Sequence, residues 1–295
     1  MKPECRTLDE LAILYKLEET IRDVYVEGDG NRSLIEWFLS EIGLHDVGVT
    51  TIEYVEVPAG SVLEMGFDDS NRGRLLTLAS FLEGELGRGF SRVTCVVDSD
   101  FDLVNQSNHD CSVLLLTDYT SMELYCFNAK TLGKFLKIGI GGFPKASEIV
   151  IQEISNALQE LFTVRMANQK LGWGMQAVRF EKNFSIEAVG LQLDLNGYVR
   201  RYVEKNNKNA EKVLFIETIE KCKGQLTADP RFQIHGHDFV DALTWYMKQH
   251  NGFGHLRKDT VERALFASLE SGLLRDEPFF KKLVSRLQPT IQESN

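Results

Sequence analysis

RVTCVVDSDFD, from Arg92 to Asp102, places a run of β-branched and apolar residues directly before three carboxylates, Asp98, Asp100 and Asp102. Such a run predicts a strand of a parallel sheet that is covered on both faces. Because alternate residues of an extended chain point to the same side, we expect the three aspartates to project together from the C-terminal end of this strand. Oxygen ligands of this kind suit Mg²⁺ or Mn²⁺, and a solvated Asp-rich turn is the alternative interpretation.

A second acidic motif is DVYVEGDGN, residues 23–31. Its apolar residues predict a short strand that ends before Glu27; a glycine turn follows, and the period of residues 33–42 predicts a helix. An Asp-Gly hairpin is less favoured, because the residues that follow do not alternate. Since the C-terminal ends of parallel strands gather at one edge of a sheet, Glu27 and the aspartates are expected to meet over one metal site.

The remainder of the first half alternates between helical and strand patterns. It predicts helices at 8–20, Arg72–Leu86 and Met122–Leu136, and strands at Thr50–Val57 and Ser112–Thr117. The fold class is therefore α/β, with parallel strands and right-handed helical crossovers. The segment Lys137–Lys145, rich in glycine, is the predicted boundary between a catalytic domain, 1–140, and a mostly helical C-terminal domain, 141–295.

The sequence of residues 141–295 predicts a mostly helical region with one short strand. Helices are predicted at Ala146–Gln169, Phe239–Lys248, Val261–Leu273 and Phe279–Leu287, and the strand at Leu191–Leu195. Arg200 and Arg201 lie among the tyrosines Tyr198 and Tyr202, a combination that can hold phosphates and stack bases. A solvated helix face balanced by nearby glutamates is the alternative interpretation.

One further cluster of chemically active residues is His235-Gly236-His237-Asp238. Two histidines could ligate zinc, but no cysteine pair or third histidine is placed to complete a tetrahedral site. Asp238 could instead cap the helix predicted to start at Phe239, and this structural role is favoured.

Composition and charge narrow the class of protein. The 295 residues are 43% hydrophobic and 26% charged, as in ordinary soluble proteins, and no apolar run approaches the ~20 residues of a membrane span. The N-terminal residues do not resemble a signal peptide, and the five scattered cysteines form no Cys-x-x-Cys pair, so a reducing cytoplasm is expected. A net charge of −10 argues against a broad basic surface for long DNA, and favours a small nucleic acid or a basic protein partner.

Other interpretations of the aspartate motif fail at particular positions. A calcium-binding EF-hand loop needs glycine at its sixth position and glutamate at its twelfth, which are Leu103 and His109 here. Haloacid-dehalogenase phosphotransferases carry threonine or valine where this chain has Asp102, and they give the Glu27 motif no role; that class is kept as a minor alternative. No Walker motif occurs, so the chain is not expected to be an ATPase.

The combination of strand, Glu27-Gly28 turn, helix and a later strand ending in Asp-x-Asp resembles the Toprim domain over residues 20–130. The resemblance implies a Rossmann-like parallel sheet with flanking helices. It implies that Glu27, Asp98 and Asp100 are catalytic and hold Mg²⁺ or Mn²⁺, and that Asp102 serves the same site. Related nucleases often carry an acidic residue a few positions after the glutamate, where this chain has Asp29 and then Asn31, and this departure bears on a second metal site.

The segments Thr117–Tyr119 and Ser121–Tyr125, with Ile234–Asp238, are similar to Toprim proteins found beside OLD-like ABC ATPases, including the nuclease effector of the PARIS anti-phage defence system. This resemblance implies a metal-dependent nuclease that an ATPase partner holds and releases, with RNA such as tRNA favoured over DNA. Glu123 would be a further metal ligand, and His237 and Asp238 would position the substrate. A docked regulatory subunit without catalysis and a primase are the alternatives, and a homodimer is left open.

Overall fold

The structure is a computed structural model that describes residues 5–105, 107 and 109–288. Its contacts divide the chain into two compact units. The first comprises the described parts of 1–99, 107–118 and 270–295, and the second those of 100–106 and 119–269. The predicted division at residue 140 falls within the second unit; as a boundary between independently folding domains it stays a prediction.

The elements are numbered in chain order. As far as residue 118 they are β1 (Arg6–Thr7), α1 (Leu8–Leu17), β2 (Arg22–Val26), α2 (Asp29–Glu41), β3 (Val47–Thr51), β4 (Val55–Glu56), α3 (Ala59–Glu64), α4 (Asn71–Leu86), β5 (Val93–Val97), α5 (Asp102–Asn105) and β6 (Leu114–Leu116). Beyond it they are α6 (Ala129–Lys134), α7 (Ser147–Lys170), β7 (Phe184–Glu187), β8 (Gly190–Leu193), α8 (Leu195–Lys205), α9 (Lys212–Lys223), α10 (Gly236–Lys248), α11 (Lys258–Ala267), α12 (Ser271–Leu274) and α13 (Pro278–Leu287).

Four parallel strands form the main sheet of the first unit, in the order β3-β2-β5-β6. All residues of β5 are buried, as expected for an apolar run in the middle of a covered sheet. Its neighbour β2 pairs with it in register from Asp23 with Val93 to Tyr25 with Cys95. The predicted α/β class with a parallel sheet, flanking helices and a helical C-terminal region is confirmed.

Helices cover the sheet because strand side chains alternate between its two faces. Tyr25 and Cys95 belong to the same buried cluster as α1 and α4, which contribute Tyr15 and Leu78. Helix α2 packs against β2 and β3 with Phe38 fully buried. The sheet that carries β2 and β5 is therefore covered by helices on both faces.

The predicted strand Thr50–Val57 is wrong in its extent. The chain leaves the main sheet after Thr51, forms a 3-10 turn at Ile52–Tyr54, and then pairs as β4 with β1 in a small separate sheet. The turn buries Ile52 completely in the α1 and α4 cluster, and this tertiary contact overrides the alternating pattern.

The predicted helices Met122–Leu136 and Val261–Leu273 are each interrupted. The first begins as a 3-10 turn, Met122–Cys126, and restarts as α6 because the Asn128 side chain accepts the Thr131 N–H at 2.9 Å. The second is divided into α11 and α12. Apolar residues continue through both breaks, so helical periodicity alone does not reveal them.

The second unit is mostly helical, as predicted, and is built around the long helix α7. The predicted strand near Leu191 is present as β8, but its antiparallel partner β7 was not predicted. The described residues contain no helix that is both long and apolar enough to cross a membrane.

Candidate functional site

Glu27 and Asp98 lie at the C-terminal edge of the main sheet. Each is the first residue after its strand, β2 or β5, and these strands are neighbours. The Asp98 backbone N–H donates to Glu27 Oε1 at 2.9 Å, and both residues are half-buried. The structure thus brings Glu27 to the start of the aspartate motif, while the catalytic role of the two residues stays a prediction.

Two side chains at the start of α4 hold the same strand ends. Asn71 Nδ2 donates to the Glu27 carbonyl oxygen at 2.8 Å, and the Arg72 guanidinium donates to the Asp98 carbonyl oxygen. Ser70 caps the helix by accepting the Gly73 N–H, so Asn71 and Arg72 lie in the first turn. The sequence indicates only a helix start here, because polar residues are common in a first turn and carry no distinctive signal.

Replacing Asn71 with alanine is expected to lower any cleavage that depends on Glu27 by about 10- to 100-fold. The change removes the donor that holds the Glu27 backbone, and a displacement of about 1 Å in a catalytic group can cost 100-fold. Single-turnover cleavage rates measure the effect. Arg74→Ala is the matched control, since Arg74 lies on the same helix and pairs with Asp69 at the half-exposed surface. Equal rates for Asn71→Ala and wild type would contradict a positioning role.

The expected alternation of Asp98, Asp100 and Asp102 along an extended chain is wrong. Strand β5 ends at Val97, Asp100 adopts a left-handed backbone with φ of 42°, and Asp102 begins the short helix α5. The Asp100 N–H donates to the Thr120 carbonyl oxygen at 2.8 Å, which fixes this turn within the second unit. A left-handed conformation costs a non-glycine residue roughly 1–2 kcal/mol and is best tolerated by Asp and Asn.

Glu123, His237 and Glu262 form a three-residue cluster within the second unit. One ligand atom from each lies within 4.8 Å of the other two, so the group could hold a metal ion. Glu123 is buried, at 5% exposure, and its Oε1 lies 3.0 Å from His237 Nδ1. This cluster joins the predicted metal ligand Glu123 to the predicted substrate residue His237.

Local packing explains why Glu123 and His237 meet. The Thr120 hydroxyl donates to the Ile234 carbonyl oxygen, and the Thr120 N–H donates to the Arg231 carbonyl oxygen at 3.4 Å. These bonds align the 3-10 turn that carries Glu123 with the start of α10. A Cβ on Gly236 would overlap Ser121 Oγ and Glu123 Oε2, so only glycine allows this approach.

Electrostatics favour a carboxylate on Glu123 paired with a protonated imidazole on His237. Burial works to raise the pKa of Glu123, but the hydrogen bond and charge of His237 outweigh it, so the pKa lies below its usual value. The same hydrogen bond raises the pKa of His237. The pKa of Glu262 is raised by burial and by the neighbouring Glu123 carboxylate. A cation among the three groups would relieve this repulsion between carboxylates.

Asp238 does not cap a helix as predicted. Helix α10 begins at Gly236, and both Asp238 oxygens accept hydrogen bonds from Arg165, at 2.5 and 2.6 Å. The Asp238 side chain is 3% exposed, so this is a buried bidentate ion pair between α10 and α7. Beside it, burial and the Arg165 charge lower the pKa of His235 to about 4, which makes His235 neutral at pH 7.

The predicted nucleic-acid-binding face of α8 is only partly exposed. Tyr198 and Tyr202 are buried, and their hydroxyls donate to the carbonyl oxygens of Val178 and Met175, so base stacking on these rings is not supported. Arg200 is exposed, and Arg201 Nη1 donates to Asn183 Oδ1 at 2.5 Å. Binding of phosphates by the two arginines stays a prediction.

Glu262 is the residue of the metal-capable cluster that the sequence did not reveal. It lies 25 positions from His237 in the chain, on a different helix, amid an ordinary charged pattern. No protein-family model matches the chain, and no curated protein matches it either. The function is therefore argued from the geometry of the sheet edge and of this cluster.

Proposed function

We propose that the protein is a metal-dependent nuclease of the Toprim type, with Mg²⁺ or Mn²⁺ held at the sheet edge. The observation that carries the proposal is the hydrogen bond from the Asp98 N–H to Glu27, which joins carboxylate-bearing ends of two adjacent parallel strands. Ligands bind in open α/β sheets at this C-terminal edge. Asp100 and Asp102 follow two and four positions after Asp98 and are the further proposed ligands.

The donor set fits a hard divalent cation. Carboxylate oxygens are the side-chain ligands that Mg²⁺ prefers, and Mg²⁺ usually takes only one or two of them together with water and substrate phosphate. A carboxylate has about four lone-pair positions, so a hydrogen bond from a backbone N–H is compatible with ligation of an ion by the same carboxylate. When bound, such an ion stabilises charge on the scissile phosphate and activates a water molecule.

In this proposal the residues of the chain hold the cation and transfer a proton during cleavage. Asp98 and Asp100 would hold the cation. Glu27 either completes this ligand set or acts as general acid or base, since a carboxylate serves both roles. Asn71 and Arg72 keep the two strand ends in place through their bonds to backbone carbonyls.

The substrate class and biological role rest on charge and on the resemblance described above. A net charge of −10 suits a small, locally recognised nucleic acid such as tRNA better than long duplex DNA. It equally suits docking on a basic surface of a partner, for which an OLD-like ABC ATPase is proposed. Such a partner would restrain the nuclease until phage infection in an anti-phage defence role in the bacterial cytoplasm.

Cleavage of labelled tRNA, duplex DNA and single-stranded DNA by the purified chain tests the proposal. We expect cutting of tRNA in Mg²⁺ or Mn²⁺, loss of cutting after chelation, and restoration when the metal is returned. Asp98→Asn should cut at least about 100-fold more slowly, because it removes a negative charge that would hold the cation at the sheet edge. If the chain alone cuts none of the three substrates, the same assay is repeated with the proposed ATPase partner added.

Asp46→Asn is the matched control for this assay. Asp46 lies in the first unit, is 69% exposed and pairs only loosely with Arg22 at 3.6 Å. Its substitution is expected to leave the rate unchanged. Chelator-resistant cutting, or cutting by Asp98→Asn at the wild-type rate, would overturn the sheet-edge nuclease.

A further inference from the structure

We infer that Glu123, His237 and Glu262 form a binding site for one first-row transition-metal ion, such as Zn²⁺ or Mn²⁺, in preference to Mg²⁺. The inference goes beyond the proposed nuclease and does not depend on it, because metal binding is measured without substrate. It concerns only side chains of the second unit. Three steps support it: the donor set, a buried hydroxyl beside it, and the rigidity of the elements that carry the ligands.

The donor set contains nitrogen as well as oxygen. Two carboxylates and one imidazole, each with a ligand atom within 4.8 Å of the others, can converge on a single ion. Imidazole is a preferred ligand of Zn²⁺ and its neighbours in the first transition row, whereas Mg²⁺ prefers oxygen alone. Affinity at such sites generally rises from Mn²⁺ to a maximum at Cu²⁺ and falls again at Zn²⁺. The chemistry therefore selects a transition metal.

A second observation points independently to a ligand at this place. Ser121 is 7% exposed, and its hydroxyl lies close enough to the Glu123 carboxylate to lower the pKa of that group, but among the described residues its Oγ makes no hydrogen bond of good geometry. This oxygen and Glu123 Oε2 crowd the same side of Gly236, where neither would leave room for a Cβ. A buried hydroxyl whose hydrogen bonding is incomplete is costly, and water bound to a metal ion at Glu123 would complete it.

The ligands are held on packed elements of the fold. Glu123 lies on the 3-10 turn Met122–Cys126, whose residues are all buried, and His237 lies in the first turn of α10. Helix α11 carries Glu262 and packs against α10, where Lys258 also pairs with Asp241 at 2.9 Å. Because these elements pack on one another, the ligand atoms are positioned before an ion arrives, which lowers the cost of binding.

Metal binding by the chelator-stripped full chain tests the inference. Isothermal titration with Zn²⁺ in an excess of Mg²⁺, which fills the proposed sheet-edge site, should show one Zn²⁺ site per chain, and Co²⁺ under the same conditions should give the visible absorption of a nitrogen- and oxygen-ligated ion. His237→Ala and Glu262→Gln should each lower Zn²⁺ affinity at least about 100-fold, since even outer-shell changes cost 10- to 100-fold. Millimolar Mg²⁺ should not displace Zn²⁺.

Two features make this experiment decisive. The His237 side chain is 66% exposed, so its removal should leave the fold intact, as circular dichroism can verify. Asp259→Asn is the matched control, because Asp259 lies on α11 and pairs with Arg263 at the exposed surface. Glu27→Gln should bind Zn²⁺ as wild type does. Unchanged Zn²⁺ affinity in His237→Ala and Glu262→Gln, the absence of a Zn²⁺ site, or equal Mg²⁺ affinity would each overturn the inference.

Discussion

Glu27→Gln is expected to reduce metal-dependent cleavage by about 100- to 1,000-fold or more while leaving the fold unchanged. Glutamine keeps an oxygen that can accept the Asp98 N–H, which Glu27 Oε1 accepts at 2.9 Å. It removes the negative charge, however, and with it the cation ligand or proton acceptor that the reaction needs. Removing one preorganised electrostatic group from an active site commonly costs this much in rate.

Single-turnover rates at saturating protein measure this loss directly, because they isolate the chemical step from product release. Urea unfolding of the same preparation should give a stability within about 0.5 kcal/mol of wild type. Adding Mn²⁺ in place of Mg²⁺ is expected to raise both rates without restoring their ratio. A Glu27→Gln variant that cuts like wild type would remove Glu27 from the proposed active site.

The central strands of the fold could be predicted because their signal is local. The run from Val93 to Val97 is β-branched or apolar at every position, and it is buried at every position. The expectation that Glu27 lies near Asp98 follows from one rule about parallel strand ends, and the hydrogen bond between them agrees with it. The parallel pairing of these strands agrees with the predicted helical crossovers, whereas the order β3-β2-β5-β6 was not predicted.

Other features depend on contacts between distant parts of the chain. The left-handed backbone of Asp100 is fixed by a hydrogen bond to Thr120, and the sequence alone predicts an extended continuation. Asn71 and Glu262 are ordinary helix residues in the sequence, and only the fold shows what they contact. Interactions over such separations leave no periodic pattern. This is why the sequence singled out Glu123 and His237 but not Glu262.

Neighbouring residues of the His235–Asp238 motif have different roles in the structure. Its neighbouring residues His237 and Asp238 are directed to different partners, since His237 is 66% exposed beside Glu123 and Asp238 is buried against Arg165. Successive helix residues are separated by about 100° around the axis, so they face different surroundings. The resemblance implies substrate positioning for both residues, whereas the sequence favours a structural role for Asp238, and the buried ion pair agrees with that structural role.

Asp238→Ala is expected to destabilise the protein by about 3–5 kcal/mol. It would leave the Arg165 guanidinium, 25% exposed, without the two hydrogen bonds at 2.5 and 2.6 Å that now satisfy it. Burial alone would lower the pKa of Arg165, but the Asp238 charge raises it above its usual value. Breaking a buried pair on one side carries this cost because the remaining charge stays uncompensated. Urea unfolding monitored by tryptophan fluorescence measures the change.

A double replacement distinguishes the pair from simple loss of packing. Arg165→Met with Asp238→Leu removes both charges and keeps apolar volume, and such replacements are often neutral or stabilising. We therefore expect the double variant to be more stable than Asp238→Ala, with a coupling energy of about 0.5–3 kcal/mol between the positions. Lys258→Met, which breaks the more exposed Lys258–Asp241 pair between α11 and α10, should cost only about 0–1 kcal/mol. If Asp238→Ala were as mild as that surface change, the Arg165–Asp238 contact would not be what holds α7 against α10.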